Sequence, residues 1–114
     1  MDTVTISSAQ SIALEDLKSL LANRWSIKQG RDPNRLIIEA SGTHVYVYYA
    51  TQEDGTPDPR RVWLDYHSVA LVKEIITVIG DNPNLLIEND YGTSLPGDQF
   101  VARLRSEPGW EWRV

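Results

Sequence analysis

The chain has 114 residues, 41% of them hydrophobic and 24% charged, and contains no cysteine. That length suits one domain and that composition a soluble globule, while the missing cysteines exclude disulfides, thiolate catalysis and cysteine-ligated zinc. Sixteen acids against eleven bases give a net charge of -5, which disfavours generic nucleic-acid binding, because phosphate contacts need clustered Lys and Arg.

The first ten residues, MDTVTISSAQ, have neither a basic nor an apolar stretch, so no signal peptide is predicted. No apolar run approaches the ~20 residues of a membrane span. A cytoplasmic protein without disulfides or membrane association is the expectation.

The first element the pattern supports is a helix over residues 11–23, SIALEDLKSLLAN. Leu14, Leu17 and Leu21 recur at helical spacing, Ser8 or Ser11 offers a cap, and Glu15 and Asp16 suit the positive end of the helix dipole. Four strand-like runs follow at residues 25–28, 36–40, 44–50 and 61–66. The turn formers GRDPNR separate the first two, and Ser41-Gly42-Thr43 makes a tight hairpin between the next two. TQEDGTPDP at residues 51–59 is a loop rich in turn formers and acids. A second helix is predicted from Ser68 to about Ile79, closed by Gly80. Residues 85–88 read as a strand, residues 96–105 as a short helix, and the tail GWEWRV as a final edge strand in which Trp110 and Trp112 share a face. Strands joined by short loops predict an α+β single domain, with a mainly antiparallel sheet of four to six strands and two to three helices packed on one face.

The stretch YGTSLPGDQF places Gly92 and Gly97 five apart, the glycine spacing of a phosphate-binding loop. Such a loop needs a lysine and then a hydroxyl after its second glycine, to neutralise phosphate and to bind magnesium. Asp98 and Gln99 stand there instead, and aspartate repels phosphate. The stretch reads as a strand–turn–helix connection, with Ser94 as cap and Pro96 in the first helical turn. The acids Glu88, Asp90 and Asp98, and the second group Glu53, Asp54 and Asp58, match no calcium-loop spacing. No cofactor and no metal is predicted.

The strongest functional pattern lies on two adjacent strands. In HVYVYYA, Val45, Val47 and Tyr49 point one way while His44, Tyr46 and Tyr48 point the other. In RVWLDY, Val62, Leu64 and Tyr66 oppose Arg61, Trp63 and Asp65. With the aliphatic sets against the helices, the other face gathers tyrosine, tryptophan and arginine, the types enriched at binding hot spots. Cross-strand aromatic pairs also stabilise sheets with no partner present, which is the competing explanation.

These features predict a non-catalytic protein-binding domain of inhibitor or toxin-neutralising immunity type. Tyr46, Tyr48, Trp63 and Arg61 form the contact, and Glu53, Asp54 and Asp58 steer it toward a protein with a basic surface. One alternative is a small enzyme or small-ligand binder using His44, Asp65 and His67 as an acid–base or metal-ligating group. Another is a homodimer that uses the aromatic face, as a self-complementary contact, or an open sheet edge.

Overall fold

The computed structural model describes residues 2–29 and 31–113. Met1, Gly30 in the expected GRDPNR turn, and Val114 at the end of the tail lie outside the described residues. Seven strands form one sheet: β1 (Asp2–Ser8), β2 (Ser26–Lys28), β3 (Arg35–Ala40), β4 (Thr43–Thr51), β5 (Pro57–Tyr66), β6 (Leu85–Glu88) and β7 (Ser94–Pro96). The helices are α1 (Leu14–Leu21), α2 (Val69–Ile79) and α3 (Gly97–Ser106). The strand order is β2-β3-β4-β5-β1-β6-β7, and every neighbouring pair is antiparallel. The α+β class therefore holds, with one strand more than the upper end of the expected range.

Alternation makes one face of the sheet dry. Val4 and Ile6 of β1, Leu36 and Ile38 of β3, Val45 and Val47 of β4, Val62, Leu64 and Tyr66 of β5, and Ile87 of β6 are all buried. They meet Leu14 and Leu21 of α1, Leu71, Val72, Ile75 and Ile76 of α2, and Phe100 and Val101 of α3. The cost of ordering the chain is offset chiefly by this burial, at about 25 cal/mol per Å² of apolar surface removed from water.

Three expectations need correction. The first strand of the chain was absent from the sequence reading, yet β1 lies inside the sheet between β5 and β6. Its alternation is carried only by Val4 and Ile6 among threonines and serines, too weak a signal to stand without its neighbours. The tail forms turns, not an edge strand. Trp110 and Trp112 do share one side, but they pack on Phe100 at ring separations of 5.4 and 5.5 Å. Aromatic area seeking a core outweighs a two-residue alternation that has no partner strand.

The third correction concerns helix starts. The α1 N-cap is Ala13, without a side-chain bond, while Ser8 Oγ accepts from the Gln10 N–H. Tyr49 holds this entry, donating to the Ile12 carbonyl and accepting from Leu14 N–H. Ser94 does not cap α3. It belongs to β7 opposite Glu88, and Pro96 is the N-cap. Ser68 caps α2 as expected, accepting from Leu71 N–H at 3.2 Å.

The two spaced glycines have separate structural duties. Gly92 has φ +95°, a left-handed turn that suits glycine, between β6 and β7. At Gly97 a β-carbon would run into the carbonyl oxygens of Gly80 and Asn82. Gly97 thus lets the start of α3 sit against the end of α2, and the GxxxxG spacing follows from this crossing.

Candidate functional site

No described helix covers the other face of the sheet. The β4–β5 register sets Tyr46 opposite Asp65 and Tyr48 opposite Trp63, so these side chains share one face. Tyr48 and Trp63 pack edge to face with ring centroids 5.8 Å apart, and His44 sits at 4.7 Å from Tyr46. Both strands must alternate for this to happen, and their inward valines and leucines enforce it: a one-residue slip would bury the aromatics and expose the core.

Asp65 is the polar hub of the face. Its Oδ1 accepts from Thr3 Oγ1 at 2.7 Å, and its Oδ2 accepts from the Tyr48 hydroxyl at 2.6 Å. Burial, then the hydrogen bond and negative charge of Asp65, push the Tyr48 pKa up to about 12. Tyr48 is therefore a fixed, neutral phenol at ordinary pH. A ring locked in place loses less rotamer freedom when a partner lands on it.

Arg35 is one of two residues of this face that the sequence pattern left unnoticed. It stands opposite Tyr48 on β3. Its guanidinium carbon lies 4.4 Å from the Tyr46 ring centre and 5.6 Å from that of Tyr48, within cation–π range. A usable signal existed: the two-residue hairpin at 41–42 fixes the β3–β4 register, and alternation with Leu36 and Ile38 puts Arg35 outward. Thr3 was missed because its strand was.

Arg61 shares the open face with Trp63, because Val62 between them is buried. The acids lie elsewhere. Glu53 and Asp54 are in the loop of the β4–β5 hairpin and Asp58 is in β5 just after it. Asp54 accepts from the Thr56 N–H and hydroxyl, which lowers its pKa. Asp58 accepts from Arg60 N–H. Both carboxylates help shape their own turns.

The histidine group is not assembled as an acid–base pair. Both Asp65 oxygens are engaged by hydroxyls, and among the described residues no hydrogen bond or ion pair joins Asp65 to His67. His67 instead lies across from His44, with rings 6.2 Å apart. Among the described residues no three His, Asp or Glu side chains converge as metal ligands. A groove of about 410 Å³ between residues 8–12 and residues 82–85 is lined without any acid, base or histidine. No described helix is long and apolar enough to cross a membrane.

No family model, curated protein or solved structure matches the chain.

Proposed function

We propose that this protein acts by binding another protein through the open sheet face, as a non-catalytic inhibitor or toxin-neutralising immunity-type domain. One observation carries the reading. Tyr46, Tyr48 and Trp63 form an aromatic shelf that no described helix covers, in which Tyr48 packs on Trp63, Arg35 lies over both tyrosine rings and Asp65 accepts from the Tyr48 hydroxyl. Large, rigid, amphipathic side chains of this kind supply most of the energy at protein interfaces. The acids Glu53, Asp54 and Asp58 on the adjoining hairpin complement a basic region of the same partner and speed the encounter.

The test is capture from a lysate with tagged wild-type chain and a Tyr46→Ala/Tyr48→Ala/Trp63→Ala variant that circular dichroism shows to be folded. The captured protein is then purified and titrated against both by calorimetry. We expect wild-type capture, and a loss of at least about thirtyfold in affinity for the variant, the effect of one hot spot. Equal affinity for both baits would return the aromatics to a purely structural role. Sedimentation of the wild-type chain alone distinguishes a heterologous partner from a second copy.

A further inference from the structure

The open face carries two exposed arginines, Arg35 and Arg61, beside the carboxylate of Asp65, although the molecule as a whole is acidic. Among the described residues the ion pairs are Lys28–Glu39, Arg103–Glu107, Arg105–Asp81 and Arg113–Asp2. None involves Arg35 or Arg61, although both are exposed. These two arginines bracket the aromatics. Across the strands the row runs Arg35, Tyr48, Trp63, Thr5 and Glu88. Arg61 precedes Trp63 on the same face of β5, two residues and about 7 Å along the strand.

Its place over the tyrosine rings suits Arg35 for a second contact. A guanidinium lying on a tyrosine ring keeps its N–H donors in its own plane, pointing away from the ring. Those donors form a fork that matches a carboxylate in two parallel hydrogen bonds. The aromatic floor also excludes water from one side of that pair, which strengthens it relative to a pair in bulk solvent.

We propose that the shelf takes an acidic segment of the partner protein, with a partner carboxylate on Arg35, a second on Arg61, and an apolar or aromatic side chain between them over Tyr48 and Trp63. This rests on the binding function proposed above and adds the chemistry of the partner at the shelf. The basic region proposed to face the acidic hairpin is a separate part of that partner. A nucleic-acid strand carries phosphate too, but it needs a continuous cationic track. The row here meets an acid, Glu88, two strands beyond Trp63, so an isolated side-chain carboxylate is the better match.

The experiment uses the whole protein and four probes: a hexapeptide alternating glutamate and tryptophan, its glutamine and lysine counterparts, and a short oligothymidine. Binding is followed by backbone amide shifts in two-dimensional NMR. We expect the glutamate peptide to bind about tenfold or more tighter than the other three, with shifts centred on β3, β4 and β5. Arg35→Gln with Arg61→Gln should remove that preference while the spectrum stays folded.

Tighter binding of the lysine peptide or the oligothymidine, or no binding of the glutamate peptide, overturns the proposal. Equal binding of all three peptides, lost in Trp63→Ala but kept in Arg35→Gln, also overturns it while leaving the aromatic binding face standing. A protein captured by wild type and lost by the triple alanine variant, together with a silent glutamate peptide, likewise separates the two failures.

Discussion

Two aromatic clusters lie on opposite sides of one sheet, built from the same residue types. On the helix side Tyr66, Phe100, Trp110 and Trp112 interlock, with Trp112 Nε1 donating to the Tyr66 hydroxyl at 2.7 Å. That hydroxyl donates in turn to Asp90 Oδ1, and Asp90 Oδ2 accepts from Thr3 N–H. On the open side Tyr48 packs on Trp63 and Arg35 lies over the rings of Tyr46 and Tyr48, but no described helix covers them. Trp112 is 2% exposed, whereas Trp63 is only partly buried. The difference teaches that aromatic content says little about role. What decides is whether another element of the same chain seals the rings.

The comparison can be broken most forcefully at Trp112. Trp112→Ala empties a sealed site and should cost about 3–5 kcal/mol in chemical denaturation, a large share of a small domain's stability. A loss under about 1 kcal/mol would mean that the tail does not belong to the core. Tyr66→Phe is the next step down. It keeps the ring but leaves the Trp112 N–H without its acceptor, so about 1–3 kcal/mol should be lost by the same assay.

On the open face the same kind of change should be milder. Trp63→Ala removes one cross-strand aromatic pair, for which we expect about 1 kcal/mol or less in stability. Its main cost is expected in partner affinity. If Trp63→Ala destabilises as much as Trp112→Ala, the two clusters play one role and the contrast fails.

The smallest effect sharpens the contrast through pH. A phenol in the unfolded chain ionises near 10, and Tyr48 in the fold near 12. The stability this residue contributes is complete below the unfolded value and is lost as pH rises through that window. Tyr66 is raised for a related reason, burial first and Asp90 with it. Tyr48→Phe should therefore flatten, but not abolish, the fall in melting temperature at alkaline pH. An unchanged alkaline limb would show that Asp65 does not hold the Tyr48 proton.

Much of the candidate face was legible before the structure. The inward valines and leucines of β4 and β5 assign the outward set by parity alone, and the two hairpins tie β3, β4 and β5 together. Arg35 was within reach of that logic, one residue beyond the run read as strand. Asp65 was placed on the correct face, but its hydrogen bonds to Tyr48 and Thr3 were not foreseen. Its partner Thr3 comes from 62 residues away, along a strand that the local pattern hardly marks.

By itself the sequence determined the elements whose hydrophobic period is strong: β3 to β5, α2, the hairpin turns and the parity of the aromatic face. These follow from spacing along the chain, where neighbours share a surface by geometry. Only the tertiary structure decided that β1 fills the sheet between β5 and β6, that the tryptophan tail folds onto Phe100, and that Gly97 lets α3 meet α2. Those outcomes depend on contacts between distant segments. A short strand or a bare tail carries no local preference strong enough to announce them, and the core that receives them exists only once the chain has closed.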